Sequence, residues 1–565
     1  MARTVAIGMQ DFEDLIEKNC FYVDKTMFIK EWWESNDNTT LITRPRRFGK
    51  TLNMSMLERF FSLEYADKGE LFEGLSIWEE EKYRQLQGTY PVISMSFARV
   101  KDSNLADAKK RMREIIRGTF VKNNFLRDSD VLGAQEKIFF DKILADEADD
   151  VEVTSALYHL SDFLHRYYGK KVIILLDEYD TPMQEAYVSG YWQEMVIFTR
   201  NLFNSTFKTN PWLERAMMTG ITRVSKESVF SDLNHLEVIT TTSDRYATVF
   251  GFTEEEVFAA LDEFGLSHEK EKVKYWYDGF VFGTYKDIYN PWSIISFLKK
   301  KEYATYWAST SSNGLVSKLI REGHRNIKTK FENLLKGENI KTIVDEHIVY
   351  NQLNNSEAAI WSLLLASGYL KVLGRQKEDQ AEDGVEKVYE LAITNFETKE
   401  MFKDMVTNWF QSVLPDYNDF VKALLLGDKK AMNVYMNRVA LNTFSYFDTG
   451  NKPSQEEPER FYHGFVLGLL VELQSEYVIT SNRESGFGRY DVMLEPKKPT
   501  QRDAIILEFK VYDEEDEESL KETVAAALKQ IEEKQYAAQL EARGIPKECI
   551  RKYGIAFQGK KVLIG

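Results

Sequence analysis

A basic turn that ends in Gly-Lys-Thr, residues 44–51, constrains the fold of this chain more than any other feature. The apolar run Thr40-Leu-Ile-Thr precedes the turn and predicts a strand. An apolar stripe at helical spacing follows it, made of Leu52, Met56, Leu57, Phe60 and Phe61. Strand, loop and helix in this order are typical of a nucleotide-phosphate-binding loop, whose general pattern is G-x-x-x-x-G-K-[ST]. The sequence therefore predicts a parallel α/β sheet that binds ATP or a close relative.

The residue types of this loop suit contact with phosphate groups. Gly49 lets the backbone approach the phosphates, and the helix that follows offers free N–H groups and a positive dipole end. Lys50 would reach the β- and γ-phosphates, and the Thr51 hydroxyl would ligate Mg²⁺. Arg44 stands where the general pattern has its first glycine. Taken alone, the loop also fits a strand that runs into a basic turn by chance.

A second apolar run, residues 171–176, ends in carboxylates. Continuous apolar character is typical of a central parallel strand, and ligands bind at the carboxyl ends of such strands. Asp177 would hold Mg²⁺ through water, and Glu178 would orient or deprotonate the attacking water. A solvated strand end is the alternative for this pair alone.

A third strand, Arg215–Thr219, also ends in polar residues. Thr219 or Thr222 would sense the γ-phosphate, and Arg223 would neutralise charge that develops there. A helix cap or a turn is the alternative for these side chains.

Patterning divides the 565 residues into three regions. Strands and amphipathic helices alternate up to about residue 250, residues 251–450 are mainly helical, and a polar break at 448–458 precedes a final α/β segment. We therefore expect domains at residues 1–250, 251–450 and 451–565. The predicted strands of the first region are Thr40–Thr43, Pro91–Phe97, Lys171–Leu176 and Arg215–Thr219, and its clearest helices are Leu105–Phe120 and Ser155–Tyr168.

Charge and hydropathy exclude some classes of protein. The formal net charge of −16 argues against a surface that is basic throughout, although 73 Lys and Arg residues leave room for a local basic groove. No apolar run approaches the ~20 residues that cross a bilayer. The two cysteines, Cys20 and Cys549, match no metal-binding spacing and read as free thiols. We expect a cytoplasmic protein with no membrane partner.

The final segment carries a second chemical constellation. Asp491 opens a strand after a glycine-rich turn, and Glu508 and Lys510 project from one face of the next strand. Antiparallel pairing of these strands would bring Asp491 beside Glu508. Two carboxylates that hold Mg²⁺, with a lysine beside them, are suited to phosphodiester cleavage. A hairpin with a surface ion pair is the alternative for this short motif.

The first 310 residues resemble the bacterial AAA-ATPase-like family. The resemblance depends on Tyr22-Val-Asp-Lys-Thr, the loop at 44–51, Leu176-Asp-Glu-Tyr-Asp-Thr-Pro, Thr219-Gly-Ile-Thr-Arg, Ser231-Asp-Leu-Asn-His, Phe250-Gly-Phe-Thr-Glu-Glu-Glu, Tyr277-Asp-Gly-Phe and Tyr289-Asn-Pro-Trp-Ser. An arginine at position 44 is part of that family's usual loop. The resemblance implies a helical lid or winged-helix segment after Gly251. It also implies nucleotide binding by Tyr22, Asp24, Arg46, Arg47, Phe48, Gly49, Lys50, Thr51 and Asp177.

Residues 455–565 resemble the PD-(D/E)XK nuclease superfamily, through Gly488-Arg-Tyr-Asp491 and Glu508-Phe-Lys510 in a helix–strand–strand–strand–helix–strand order. Gln530 matches that superfamily's helical glutamine, near the scissile phosphate. The resemblance implies Asp491 and Glu508 as ligands of Mg²⁺, or of Mn²⁺, with either Glu459 or Glu472 as the ligand on the first helix.

Three functional hypotheses follow. In the first, ATP binding and hydrolysis regulate a metal-dependent nuclease in the same chain, with DNA or RNA as its substrate, in DNA processing or defence. In the second, the chain is a nucleotide-sensing switch whose C-terminal domain binds a partner or nucleic acid without cleavage. A metabolic kinase ranks last, because it leaves the C-terminal constellation unused. The sequence leaves a homo-oligomer open.

Overall fold

A computed structural model of the chain shows two compact units, Met1–Met401 and Phe402–Gly565. It describes residues 3–223, 229–230, 233, 235–308, 314–322, 325–345, 353, 356–375, 388–411, 418–443, 466, 470, 473, 476–485, 488–498, 502–512, 517–558 and 561–565. Each unit has its own sheet and its own apolar core, and each is described by itself.

The first unit is built on a five-stranded parallel sheet. Its strands are β1 (Thr39–Thr43), β2 (Val92–Ser96), β3 (Val172–Asp177), β4 (Leu213–Gly220) and β5 (Leu236–Ile239). Their order across the sheet is β2-β3-β4-β1-β5, and every neighbouring pair is parallel. All residues of β1 and β3 are buried, as expected for strands covered on both faces. The carboxyl ends of β1, β3 and β4 therefore meet at one edge of the sheet.

The four strands predicted for this sheet are confirmed, each to within two residues at either end. The prediction missed β5, a four-residue strand with only one buried residue and therefore a weak apolar signal. The helices around this sheet are Phe12–Glu17, Met27–Glu34, Lys50–Phe61, Ser76–Glu79, Glu81–Arg84, Leu105–Lys122, Phe125–Asp128, Ala134–Ala145, Asp150–Tyr168, Thr181–Ser189 and Trp192–Phe207.

The rest of the first unit is a helical region that also contains two small antiparallel sheets. One joins β6 (Phe252–Thr253), β7 (Asp278–Phe282) and β8 (Tyr285–Tyr289) in the order β6-β8-β7, and the other joins β9 (Ile340–Ile343), β10 (Leu370–Arg375) and β11 (Val388–Ile393) in the order β10-β11-β9. Its helices are Glu254–Glu263, Lys270–Tyr277, Pro291–Lys300, Gly314–Glu322, Arg325–Lys336, Glu357–Ala366 and Phe396–Gln411, the last of which continues past Met401. Six of the thirteen buried residues in the core around β6–β8 are aromatic.

The second unit contains a mixed five-stranded sheet. Its strands are β12 (Tyr477–Ser485), β13 (Gly488–Pro496), β14 (Ala504–Val511), β15 (Ile550–Gln558) and β16 (Lys561–Ile564), which lie side by side in chain order. Only the β14–β15 pair is parallel, and the helix Leu520–Glu533 that connects these two strands packs on both of them. The helix Ala538–Ala542 follows it. This α/β arrangement is the one expected from the final segment.

Two helices that precede the predicted boundary at residue 451 contribute to the core of the second unit. Asn418–Leu426 and Lys429–Thr443 place apolar side chains in the same buried cluster as residues of β13, β14 and β15. The compact unit therefore begins earlier in the chain than the polar break that marked the boundary in the sequence. Among the helices that the structure describes, none has the length and apolar character to span a membrane.

Candidate functional site

The phosphate loop lies between β1 and the helix Lys50–Phe61, as predicted. Gly49 has φ = 80° in the left-handed region, where a side chain would be strained, and this residue starts the helix. The Lys50 side chain is only 3% exposed, and its Nζ donates to the carbonyl oxygens of Arg44 and Pro45, both at 3.0 Å. The ammonium group therefore lies inside the curve of the loop, where phosphate oxygens would be bound.

Arg44, which replaces the first glycine of the general pattern, is a buried structural residue. Its guanidinium group donates to the carbonyl oxygens of Thr43 at 3.1 Å, Thr240 at 2.5 Å and Arg245 at 3.4 Å. It also lies 4.5 Å from the ring centroid of Phe282. Burial lowers the pKa of Arg44 to about 9. The side chain thus connects the start of the loop to the segment after β5.

Two predicted metal-binding residues are in direct contact. The Thr51 hydroxyl donates to Asp177 Oδ2 at 2.7 Å, although β4 separates the strands that lead to these two residues. The Thr219 hydroxyl donates to the other oxygen of the Asp177 carboxylate. Burial, and then the negative charge of Glu178, raise the pKa of Asp177. A hydroxyl and a carboxylate at this spacing are the hard oxygen donors that Mg²⁺ prefers, so the residues fit the ion.

Glu178 lies at the same edge of the sheet. Its carboxylate oxygen Oε1 is 3.9 Å from Lys50 Nζ, and its other oxygen accepts from the Thr181 hydroxyl at 3.4 Å. The backbone of Glu178 has φ = 53°, which costs on the order of 1 kcal/mol in a residue with a side chain. The carboxylate is therefore held beside Lys50 by a strained turn directly after β3.

The sequence did not predict the role of Asp180. This fully buried carboxylate accepts from the backbone N–H of Ile221 at 3.0 Å and from both the N–H and the hydroxyl of Thr222 at 2.8 Å. Tyr179 adds a hydrogen bond from its hydroxyl to the Thr222 carbonyl at 2.7 Å. Burial is the main cause that raises the pKa of Asp180. The structure thus assigns the Thr222 side chain to a bond that links the ends of β3 and β4.

Arg223 lies beside a small cavity. The cavity measures about 20 Å³ and is lined by Thr43, Arg223, Thr240, Thr241, Thr242, Val344, Asp345, Ser362, Leu365 and Ala366. The lining does not include Lys50, Thr51, Asp177 or Glu178. A catalytic role for Arg223 stays a prediction.

Tyr22 and Asp24 lie against other parts of the first unit. The Asp24 carboxylate accepts hydrogen bonds of 2.7–2.8 Å from the backbone N–H and hydroxyl groups of both Thr26 and Ser76. The Tyr22 hydroxyl contacts Met56 Sδ at 3.6 Å, on the helix that follows the loop. The described contacts of Asp24 are therefore structural, and nucleotide binding by Tyr22 and Asp24 stays a prediction.

Aromatic residues of the region that follows residue 250 pack against the phosphate loop. The Phe48 ring packs edge-on against Phe280, with ring centroids 4.8 Å apart, and against Phe282 at 5.4 Å. The Arg47 guanidinium lies 4.3 Å from the ring centroid of Trp292. Phe48 and Arg47, which the resemblance assigns to nucleotide binding, thus also connect the loop to the middle of the chain.

The second candidate site is built on neighbouring strands of the second unit. β13 and β14 are antiparallel, and this pairing places Asp491 beside Glu508, as the sequence predicted. The backbone N–H of Asp491 donates to Glu508 Oε2 at 3.4 Å, and the backbone N–H of Phe509 donates to Asp491 Oδ2 at 2.8 Å. Glu508 is buried and Lys510, two residues further along β14, is partly exposed. Two adjacent carboxylates fit a divalent cation.

Gln530 joins this site from the helix Leu520–Glu533. Its Nε2 donates to Glu508 Oε1 and also to the hydroxyl of Tyr536 at 3.1 Å. Tyr536 is buried, and burial raises the pKa of its hydroxyl. Tyr536 follows the end of this helix, and the structure adds it to the network that holds Glu508. Glu459 and Glu472 lie outside the described residues.

A third acidic group lies in the first unit, after the phosphate-loop segment of the chain. It consists of Glu254, Asp278 and Asp287, in and beside the β6–β8 sheet, whose carboxylate oxygens lie within 4.8 Å of one another. Among the described residues, no other group of three or more potential metal ligands lies this close together. Burial, and then the charge of Asp287, raise the pKa of Asp278 to about 7. Lys274 donates to Glu254, so part of this negative charge is already compensated.

Comparisons with known proteins match both ends of the chain. Residues 6–230 match the family described as "Predicted AAA-ATPase", and residues 457–565 match the "PD-(D/E)XK nuclease superfamily". A protein of Azotobacter chroococcum mcd 1, described as "Uncharacterized protein in vnfD 5'region", is 23% identical over 565 residues, which cover 98% of this chain and 96% of the relative. The similarity to this relative therefore includes both matched segments.

Proposed function

We propose that this chain, which joins an AAA-ATPase-like domain at residues 6–230 to a PD-(D/E)XK nuclease superfamily domain at residues 457–565, is an ATPase that regulates its own metal-dependent nuclease. One observation carries the proposal. Side chains suited to both chemistries are present in one chain: Lys50, Thr51, Asp177 and Glu178 in the first domain, and Asp491, Glu508, Lys510 and Gln530 in the second. A scaffold that only bound a partner would need neither set.

In the first domain, Lys50 would bind the β- and γ-phosphates of ATP. Thr51 and Asp177 would hold Mg²⁺, which neutralises phosphate charge when bound. Glu178, 3.9 Å from Lys50, would accept a proton from the attacking water or orient it. Thr219 fixes the Asp177 carboxylate through its hydroxyl and so positions it for the ion.

In the second domain, Asp491 and Glu508 would hold Mg²⁺ or Mn²⁺, which lowers the pKa of a bound water when present. Lys510 would stabilise negative charge on the phosphate that is attacked, or orient the attacking water. Gln530 holds Glu508 through its amide N–H, and Tyr536 holds Gln530 in turn. DNA or RNA is the proposed substrate, because a phosphodiester is the group that this arrangement would cleave.

A nucleotide-sensing switch that binds a partner or nucleic acid without cleavage is the second candidate. The net charge of −16 favours it, since strong binding to a polyanion depends on many phosphate contacts from Lys and Arg. A local basic groove would suffice for a nuclease that uses metal ions to neutralise the phosphate.

The ATPase proposal is tested by Lys50→Ala and Glu178→Gln. Loss of a charged hydrogen-bond donor predicts roughly 10- to 100-fold weaker ATP binding for Lys50→Ala. Glu178→Gln is expected to bind ATP while hydrolysis falls roughly 10²- to 10⁴-fold. Lys18→Ala, on an exposed lysine, is the matched control. Unchanged ATP affinity in Lys50→Ala would rule out the nucleotide site.

The nuclease proposal is tested on DNA and RNA with Mg²⁺ or Mn²⁺, with and without ATP. Cleavage that depends on ATP and disappears in Asp491→Ala and Lys510→Ala supports the first candidate. Lys529→Ala, on an exposed lysine of the same domain, is the control for loss of positive charge. Nucleotide binding without any cleavage would favour the switch.

A further inference from the structure

Trp307 is a fully buried side chain that contacts the backbone of the phosphate loop. Its indole Nε1 donates to the carbonyl oxygen of Arg46 at 2.9 Å, and Asn290 Nδ2 donates to the same oxygen at 3.3 Å. The Trp307 ring also packs edge-on against Phe280, which in turn contacts Phe48 of the loop. A shift of the loop would therefore change the surroundings of Trp307 directly.

Glu397 fixes the chain segment that carries Trp307. One oxygen of its buried carboxylate accepts from the backbone N–H of Trp307 at 2.7 Å and of Ala308 at 3.4 Å, and the other accepts from the Ser293 hydroxyl at 2.8 Å. Within the described part of the chain, no lysine or arginine forms an ion pair with Glu397. Burial raises the pKa of this carboxyl to about 7.

The position of Glu397 in the chain connects these contacts to a helix. Glu397 lies in the first turn of the helix Phe396–Gln411, the helix in which the first unit ends at Met401. Two hydrogen bonds separate the Arg46 carbonyl from this helix: the bond from the Trp307 indole to the loop, and the bond from the Trp307 backbone to Glu397. These two bonds are called the Trp307–Glu397 relay below.

The contacts between Trp307 and the phosphate loop should change when a nucleotide binds. Lys50 donates to the carbonyl oxygens of Arg44 and Pro45, directly before the Arg46 carbonyl that Trp307 contacts. Phosphate oxygens would compete for the Lys50 ammonium group, because a charge-assisted bond to phosphate is stronger than a bond to a neutral carbonyl. The carbonyl oxygens at the start of the loop would then lose a donor, and the loop would move next to Trp307.

We infer that Trp307 and Glu397 are positioning residues that transmit the nucleotide state of the phosphate loop to the start of the helix Phe396–Gln411. The inference rests on the proposed function, and it names the residues by which ATP would exert regulation. Neither residue contacts the reacting groups. Their role lies in the bonds from the loop to the segment around Trp307 and from that segment to the helix.

Hydrogen–deuterium exchange of the full chain, with and without saturating ATP, tests this inference. In the wild-type protein, ATP is expected to change exchange at least about twofold at residues 396–401. Trp307→Phe keeps an aromatic ring, although a smaller one, and removes the indole donor, so ATP binding is expected to weaken about threefold to tenfold. At saturating ATP, the change in exchange at residues 396–401 should be lost in this variant.

Trp361→Phe is the matched control. Trp361 is also fully buried in the middle region and also donates through its indole, but to Glu357 at 3.0 Å and not to the loop. This variant should retain the ATP-dependent change at residues 396–401. If Trp307→Phe binds ATP and retains the change as the control does, the relay is wrong while the ATPase proposal stands. If the wild-type chain binds no ATP, the proposed function and the relay both fail.

A second pair of variants decides the question if Trp307→Phe does not fold. Glu397→Ala removes the carboxylate that accepts from the backbone N–H groups of Trp307 and Ala308, whereas Glu397→Gln retains an oxygen for the Trp307 backbone N–H. The relay predicts that Glu397→Ala loses the ATP-dependent change in exchange at residues 396–401. It predicts that Glu397→Gln retains at least about half of that change. A full response in Glu397→Ala would overturn the relay.

Discussion

At the scale of single residues, the most informative position is Arg44. Its guanidinium group satisfies carbonyl oxygens from three different residues, two of them far away in the sequence. These bonds pair both terminal nitrogens of the buried guanidinium group, and their loss is costly because an unpaired buried charge or polar group costs several kcal/mol. Arg44 therefore supports the phosphate loop from the side that faces the protein interior, and Lys50 lies on the side where we propose that the nucleotide binds.

Substitution of Arg44 by glycine restores the general loop pattern and should still destabilise the protein. The variant loses the bonds to the Thr43, Thr240 and Arg245 carbonyls and leaves a cavity beside Phe282, which together predict a loss of roughly 3–5 kcal/mol. Thermal unfolding and ATP titration would measure the effect. Arg47→Gly is the control for thermal unfolding only, because Arg47 is exposed and has φ = 65°, a conformation that glycine adopts without strain. It is not a control for the ATP titration, because Arg47 is itself a predicted nucleotide-binding residue. Equal stability of Arg44→Gly and wild type would contradict this account.

Glu397 predicts a specific dependence of stability on pH. Its pKa is about 7 in the folded protein and ~4.5 when exposed, so between these values the folded state holds a proton that the unfolded state has released. The contribution of Glu397 to stability is therefore fully present below about pH 4.5, decreases as the pH rises, and is lost above about pH 7. Relative to Glu397→Gln, wild type should lose up to ~3 kcal/mol from about pH 5 to about pH 8. A difference that does not vary with pH would contradict the prediction.

At the scale of secondary-structure elements, the ends of β3 and β4 are fixed to each other by more than strand pairing. Asp180 follows β3 and binds the backbone and hydroxyl of Thr222 after β4, and Tyr179 reaches the Thr222 carbonyl. Because Glu178 is the residue before Tyr179, this packing also holds the proposed catalytic carboxylate. The orientation of Glu178 thus depends on how closely β4 approaches the turn after β3.

Gly220, the last residue of β4, sets that approach. A Cβ atom at this position would lie 2.6 Å from the ring of the buried Tyr179 and 2.7 Å from the Asp180 carboxylate. Gly220→Ala should therefore destabilise the protein by about 1–3 kcal/mol and reduce ATP hydrolysis more than ATP binding, because Glu178 is displaced. Thermal unfolding and steady-state hydrolysis would measure both effects.

Gly118 provides the control for this substitution. It lies on the exposed side of the helix Leu105–Lys122, where an added Cβ meets no atom within 4 Å. Gly118→Ala should raise stability by up to about 1 kcal/mol through helix propensity and leave hydrolysis unchanged. Hydrolysis by Gly220→Ala at the wild-type rate would show that the turn after β3 tolerates a shift of β4.

The sequence predicted the elements whose signals are local. The strands β1–β4 and the pairing of Asp491 with Glu508 follow from apolar runs and from alternation along a strand, and both are present. Three other contacts join residues more than 40 positions apart in the chain. They are the bond from Arg44 to the Thr240 carbonyl, the bond between Asp180 and Thr222, and the bond from Trp307 to the phosphate loop. Such contacts depend on packing between elements, which no local pattern contains.

At the scale of the whole molecule, the helices Asn418–Leu426 and Lys429–Thr443 complete the second unit. Among the buried residues they add to its core are Phe420, Leu424, Met432, Tyr435 and Met436. Asn433 and Asn437, one turn apart, each exchange two hydrogen bonds of 2.6–3.0 Å with the backbone of β16. The two side-chain amides thus form with β16, an edge strand of the sheet, the hydrogen bonds that a neighbouring strand would form. This pairing protects the edge from association with a strand of another molecule.

A fragment of residues 402–565 should therefore fold, and a fragment that begins at residue 451 should not. Five large buried side chains contribute on the order of 10 kcal/mol, which is comparable with the entire stability of a domain of this size. Circular dichroism and size-exclusion chromatography would separate a folded monomer from an aggregate.

Leu424→Asp and Leu426→Asp, both in the longer fragment, separate the loss of core packing from the loss of chain length. Leu424 is fully buried in the core and Leu426, two residues later, is 80% exposed. Burial of an uncompensated carboxylate should unfold the fragment in Leu424→Asp, whereas Leu426→Asp should leave its melting temperature within a few degrees of the parent fragment. Cooperative melting of the 451–565 fragment at the temperature of the longer one would mean that the polar break at 448–458, and not residue 402, is the start of the independently folding unit.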